Sequence, residues 1–539
     1  MHEDAATRRN AFEELMGLIA KFSAVGGATL ASRVLGFVRE ALIASTLGAG
    51  PVADAFYAAF RFPNLFRRIF AEGAFNAAFI PLFGKELETG GRDAARQFAQ
   101  QILSALVFVL LLLTALAMMV MPFLVGTVIA PKFAADPQKF DLTVELARIM
   151  FPYLGAMSVV AMFSGILNSM RRYFLAALAP VLLNVVLIVI LSIMLWSGRG
   201  GVDIGRAMAW GVCLSGLLQF LLVAWGVRRE DFHVSLSMPH FAKPVRRLVS
   251  LAIPTAIAAG ITQVNLLVGQ IIASGKAGAI SIMNYADRLM QLPLGLIAVS
   301  IGVVLLPELS RALAANDAPE AQKLQNRSLE FGLGLMVPAA VGLFVMPEPL
   351  IALVYERGAF SRDLTETTAQ VLAIFALALP AVVLTKIFQP SFYARQDTRT
   401  PMWFSGVNAL VNIVLALALF PRLGVVGLAW AFSAASWVNA ILLGAVLMAS
   451  SEFQLSHRTF RNMLIILGAS LGMGILLHLA QDWLGSSLLD APILMRVAMI
   501  LAMIGVAMAV YFGAVIASGA IPGDVLMRMM KRSKRNGAS

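Results

Sequence analysis

Five arginines and three carboxylates sit in two segments that otherwise read as membrane-spanning helices. Residues 21–48 include ATLASRVLGFVREALIAS, with Arg33, Arg39 and Glu40. Residues 53–83 include ADAFYAAFRFPNLFRRIFAEGAFNAAFIP, with Asp54, Arg61, Arg67, Arg68 and Glu72. An arginine near the bilayer centre costs roughly 2.5–3.5 kcal/mol on insertion scales. Five of them facing lipid would cost on the order of 12–18 kcal/mol, more than the net stability of an ordinary domain. They are therefore expected to face a water-filled, protein-lined cavity, and a cavity walled by arginines suits an anion. Guanidinium fits phosphate because its planar fork binds two oxygens at once and keeps its charge. At about 100° per residue, Arg61 and Arg68 lie within roughly 20° of each other, as do Arg33 and Glu40. Two other readings stand beside this one. The first is internal pairing, above all Arg68 with Glu72 at i,i+4; the second is snorkelling of Arg67 and Arg68 at an interface.

A further intramembrane cation, Arg288, follows Asp287 in NYADRLMQLPLGL. It either completes a phosphate-binding set with the first arginines or forms a local ion pair. Pro63 and Pro293 fall within the same two kinds of segment and are candidate hinges, because proline removes a backbone donor and bends a helix. Pro81 and Pro307 fit helix ends almost equally well. No other constellation carries chemistry. The G-x-S-x-G match at 468–472 lies inside an apolar helix rather than at a strand–helix turn, so a serine hydrolase is excluded by context. The five histidines are scattered, and no ligand set for a metal is expected. A phosphate-binding G-x-x-x-x-G-K-[ST] loop is absent, which excludes a nucleotide-driven motor within this chain. No catalytic residue and no cofactor are expected.

The elements that must position these residues follow from composition. Of 539 residues, 59% are hydrophobic and 13% charged, which indicates an all-α polytopic membrane protein. Apolar periodic segments near 21–48, 53–83, 96–125, 141–170, 174–197, 204–227, 246–274, 278–308, 323–347, 366–393, 402–420, 423–449, 460–481 and 492–518 give about fourteen transmembrane helices. Lys and Arg divide 25 to 9 between alternate sets of connections. The positive-inside rule then puts both termini in the cytoplasm. The net charge of +12 accordingly reflects topology and anionic membrane lipids, with no nucleic-acid partner. Residues 1–20 lack the apolar core and cleavage site of a removable signal peptide. The single cysteine, Cys213, excludes an intrachain disulfide and reads as a packing residue.

An internal repeat organises the helices. Tyr57/Tyr285, Pro152/Pro380, Arg171/Arg399 and Asn184/Asn412 all recur at an offset of 228. Six spans separate the copies, so the halves insert the same way up, as in parallel repeats. The expected organisation is a cytoplasmic segment 1–20, a six-helix lobe 21–230, a linker 231–245, a six-helix lobe 246–450, two added helices 451–518 and a basic tail 519–539. The tail suits the anionic inner leaflet.

SRVLGFVREALIASTLGAGPVADAF, FRFPNLFRRIFAEGAFNAAFIP and NYADRLMQLP together resemble the MurJ (MviN) family of bacterial lipid II flippases. That family lies within the multidrug/oligosaccharidyl-lipid/polysaccharide exporter superfamily. The resemblance runs over essentially the whole length. It implies alternating access through a central cationic cavity, with the lipid tail in a groove at helices thirteen and fourteen. The family's cavity arginines fall on Arg33, Arg39, Arg67 and Arg288, with Asp54 as their acidic companion; at Arg61 only the charge carries over. The implied cargo is undecaprenyl-pyrophosphate-linked disaccharide-pentapeptide at the bacterial inner membrane, in peptidoglycan synthesis and the upkeep of cell shape. Peptidoglycan-synthesis proteins are possible partners under the same resemblance. The seventh segment, IPTAIAAGITQVNLLVGQIIAS, has no carboxylate, so no sodium site is carried over. The alternatives are an exporter of another polyprenyl-pyrophosphate-linked oligosaccharide, or a drug/cation antiporter of the same superfamily.

Overall fold

A backbone inside a bilayer must satisfy its own hydrogen bonds, and a chain with this apolar pattern does so as helices. The structure, a computed structural model, describes residues 2–68, 75–239, 242–485 and 491–520, with side chains described except at 2–24, 257–259, 261–262 and 296–304. The described elements are α1 (His2–Leu47), α2 (Pro51–Phe66), α3 (Phe75–Met119) and α4 (Met121–Leu124), then a π-helical turn (Val125–Ile129) and a 3-10 turn (Pro131–Ala135). They continue with α5 (Pro137–Met150), α6 (Pro152–Ser169), α7 (Tyr173–Ser197), α8 (Gly201–Arg229), α9 (Lys243–Ala273) and α10 (Ala279–Ala314). The last are α11 (Ala318–Val345), α12 (Pro347–Tyr355), α13 (Arg362–Ala394), α14 (Arg399–Leu423), α15 (Val425–Ala449), α16 (His457–Leu484) and α17 (Ile493–Ala517). Among the described residues the expected segments fall on helix, the second, 53–83, divided between α2 and the start of α3. Among the described residues, ten helical stretches are long and apolar enough to cross a membrane.

Local sequence explains the helix ends. Proline opens α2, α5, α6 and α12, where its missing N–H costs nothing. Ser456 and Asp317 cap α16 and α11 by accepting the Thr459 and Glu320 amides, each at 3.0 Å. The connection expected between the second and third spans is helical nearly throughout. α3 starts at Phe75 and runs through GKELETGGRDAARQF, changing direction only at Gly91 with φ +72°. Charged helix formers continue the helix there, and one glycine supplies the turn.

The chain divides between Ser281 and Ile282 into two compact units. In the first, α3 packs on α6, α6 on α8, and α8 on α7; α1 lies along α7, α2 on α5 and α9 on α3. In the second, α11 packs on α13, α13 on α15, and α15 on α14. The same order of neighbours recurs, and so do the helix ends. Arg171 and Gln396 are left-handed, with the Arg172 N–H donating to Leu167 at 2.8 Å and that of Asp397 to Phe392 at 3.0 Å. Asp231 and Ser451 repeat the device one helix pair later. The ion pairs that follow, Arg172–Glu230 at 2.9 Å and Arg395–Glu452 at 3.5 Å, also correspond. α16 and α17 join the second unit through α11, on a core that includes Met346, Met473, Leu477 and Ile500. Within it the Tyr511 hydroxyl donates to the Gly334 carbonyl at 2.5 Å.

Candidate anion-binding site

Two buried polar clusters in the first unit organise the arginine-bearing helices. In the first, Arg39 and Glu40 on α1 are 6% and 2% exposed. The Arg39 guanidinium donates through Nη2 to Glu40 Oε1 at 2.5 Å and through Nη1 to Asn184 Oδ1 on α7 at 2.9 Å. The Tyr57 hydroxyl on α2 donates to Glu40 Oε2 at 2.5 Å. Asn184 turns its amide nitrogen to the Ser32 carbonyl at 2.9 Å. One ion pair thus ties α1 to α2 and α7. Burying two ions is costly unless they are paired and their remaining groups are hydrogen-bonded, and here each has further partners. Arg39 Nε is buried without one.

The second cluster surrounds Asp54, fully buried near the start of α2. Its Oδ2 accepts Lys139 Nζ and the Gly278 amide, both at 2.8 Å. Its Oδ1 accepts the Ser281 amide at 3.0 Å and the Ser281 hydroxyl at 2.7 Å. Lys139 Nζ also sits 4.0 Å from the centroid of the Phe133 ring. Asp54 therefore joins α2 to α5 and to the turn between α9 and α10, with four donors on one carboxylate. Gly278 takes φ +78° in that turn, and a Cβ there would meet the Ala49 carbonyl oxygen at 2.7 Å. Close by, the Gln270 amide donates to the Ile129 carbonyl at 2.9 Å.

The remaining candidates lie along the same two helices. Arg33 is exposed on α1. Arg61 is half-buried on α2, while Arg67 and Arg68 follow its last turn, Arg67 half-buried and Arg68 exposed. Arg67 Nε donates to Asn64 Oδ1 at 2.9 Å. Pro63 is buried inside α2. Glu72 lies outside the described residues. Arg288 and Pro293 are half-buried on α10 in the second unit, where Asp287 takes a hydrogen bond from Gln291. Among the described residues no group of acids, histidines or cysteines could hold a metal.

The electrostatic consequence is direct. Residues 25–68 carry five arginines against two carboxylates, Glu40 and Asp54. Asp54 is committed to Lys139, a sixth cation contributed by α5. Glu40 is thus left as the one carboxylate within residues 25–68 outside the Asp54–Lys139 pair. The surplus is positive and suited to a multiply charged phosphate. Three members of these clusters carried little signal in the sequence. Lys139 read as a cation of a connecting loop, and the structure buries it. Tyr57 and Asn184 stood out only as repeat markers, which flagged their positions without their hydrogen bonds.

Residues 43–494 match the family model described as lipid II flippase MurJ. The chain is 49% identical to the probable lipid II flippase MurJ of Rhizobium meliloti (strain 1021), over 97% of both chains. It is similar at 25% identity and a TM-score of 0.76 to a structure of lipid II flippase MurJ in an inward closed conformation, covering 92% of this chain and 98% of that one. A multidrug resistance MATE transporter of the MOP superfamily shares the fold, with a TM-score of 0.64 over 78% of this chain and 95% of that one at 14% identity.

Proposed function

Because this chain belongs to the MurJ family of lipid II flippases, we infer that it carries lipid II across the bacterial inner membrane by alternating access. It is a multi-pass membrane transporter and not an enzyme. The observation that carries the reading of the site is the positive surplus within residues 25–68.

In this reading Arg33, Arg61, Arg67 and Arg68 receive the pyrophosphate, and Arg288 adds a further guanidinium. Glu72 completes the proposed set. Arg39 acts differently: locked to Glu40 and Asn184, it positions α1 against α2 and α7. Asp54 likewise braces α2 through Lys139. Pro63 and Pro293 each remove one backbone hydrogen bond from their helices and let them bend as access alternates. The polyprenyl tail stays in the bilayer beside α16 and α17, while the sugar-peptide head group crosses in water. Both termini are cytoplasmic, the basic tail contacts anionic lipid, and peptidoglycan-synthesis proteins receive the cargo. The lobes span 21–230 and 246–450, with a linker at 231–245.

Depleting the protein in its host and measuring lipid II on the outer leaflet tests this reading. Loss of exposure with internal accumulation, restored by wild type but not by Arg288→Ala at equal abundance, is the expected outcome. Unchanged exposure in a host without a second flippase would move the substrate to another lipid-linked glycan. Full rescue by Arg288→Ala would remove that arginine from the site.

A further inference from the structure

A cleft of about 720 Å³ opens in the first unit along the last turns of α8, walled by α3, α6, α8 and the extended segment 232–236. Its volume falls within the usual range of ligand sites, about 300–1,000 Å³. None of the arginines of α1 or α2 lines it.

The wall is built rather than incidental. The segment after α8 is fastened across α3 by Gln100 Nε2 donating to Ser235 Oγ at 2.9 Å and by the Ser237 amide donating to Ser104 Oγ at 2.9 Å. Arg92 donates to the Glu230 carbonyl, and Arg172 pairs with the Glu230 side chain at 2.9 Å. Phe232 is fully buried against Phe83, with the Arg96 guanidinium 5.9 Å from its ring centroid.

The lining is graded. Arg96, Arg228 and His233 stand at one end, and no carboxylate lines the cleft. Asp93, outside it, accepts one Arg96 N–H at 3.0 Å, whereas Arg228 forms no ion pair among the described residues. Eleven residues further along α3, about 16 Å at helical rise, the lining has become Val107, Phe163 and Phe220. The Phe163 and Phe220 rings are 5.9 Å apart. Cationic at one end and apolar at the other, such a cleft matches an anionic head group with a hydrocarbon chain attached. Basic pockets between membrane helices bind such head groups.

We propose that this cleft binds one phosphate-bearing lipid, its head group against Arg96 and Arg228 and one chain along Val107, Phe163 and Phe220. The site is separate from the transport arginines and does not rest on the transport reading. The test is native mass spectrometry of the full chain in mild detergent, titrated in parallel with phosphatidylglycerol, undecaprenyl phosphate and neutral diacylglycerol. Wild type should retain one phosphate-bearing lipid. The Arg96→Ala/Arg228→Ala double variant should lower that retention at least 5-fold by removing the charge, and Ala224→Trp should do so by filling the apolar part. Retention of phosphatidylglycerol alone identifies a membrane phospholipid, whereas its displacement by undecaprenyl phosphate at equal concentration identifies a polyprenyl carrier; either supports the site. Unchanged retention in whichever variant elutes as a monodisperse protein, or equal retention of diacylglycerol, overturns it. Val107→Trp is a third route to filling the cleft should the other two variants aggregate.

Discussion

At the scale of residues, Arg39 and Glu40 show how a cation in a membrane helix can be a structural one. They are neighbours in sequence, both nearly buried, and joined at 2.5 Å. Removing one partner of a buried pair strands the other charge, at about 3–5 kcal/mol. Arg39→Ala should therefore lower thermal stability in detergent by that order, and Arg39→Met/Glu40→Gln should recover most of it. Arg33→Ala, on an exposed part of α1, should lose export while its melting temperature stays at that of wild type. Equal melting temperatures for Arg39→Ala and Arg33→Ala would refute the bracing role. The arginines were legible because charge in an apolar run is conspicuous. Lys139 was not, because it borders a loop, and only the fold shows that it meets Asp54 across 85 positions of sequence.

At the scale of elements, two turns depend on individual residues. Gly278 combines φ +78° with no room for a Cβ against Ala49. Gly278→Ala should destabilise the protein by at least about 1–3 kcal/mol, the usual cost of a strained backbone position, measurable as a lowered melting temperature. At the start of α14, Asp397 accepts the Arg399 and Thr400 amides, each at 3.0 Å. The Thr400 hydroxyl and amide, aided by Arg399, hold its carboxyl below the ordinary range. A depressed carboxylate adds stability above its unfolded pKa, and that share is lost as pH falls through the folded value. Asp397→Ala should thus cost no more than about 1 kcal/mol at neutral pH. The difference from wild type should shrink only as pH falls below the ordinary carboxylate range, about 3.9; a constant difference across pH would refute the cap. Helix positions were legible from the apolar runs, but the helical course through Lys85–Arg96 was not. Charge there suggested a loop, whereas GKELETGGRDAAR is made largely of helix formers with a single glycine turn.

At the scale of the molecule, the sequence repeat proved deeper than its identities. Four matches at one offset could have been chance. The recurring order of packed helices and the paired left-handed ends at Arg171/Gln396 and Asp231/Ser451 could not have been read from identity, because their residue types differ. Orientation is open to direct measurement. Cys213 is the sole cysteine, so Cys213→Ser supplies a background in which every introduced thiol reports its own side. Ser197→Cys and Lys276→Cys should react with an impermeant maleimide applied to intact cells, and Asn316→Cys and Ser450→Cys should react only after lysis. The reverse pattern would invert the assigned topology. The carboxylate of Asp54 gives the molecule a further property, a built-in clock. The amide hydrogens of Gly278 and Ser281 both end on it. They can exchange with deuterated solvent only when α2 withdraws from the turn ahead of α10. Their exchange rate therefore counts openings at that end of the first unit. If cargo sets the pace of the cycle, adding lipid II should change that rate while amides buried in α8 keep theirs.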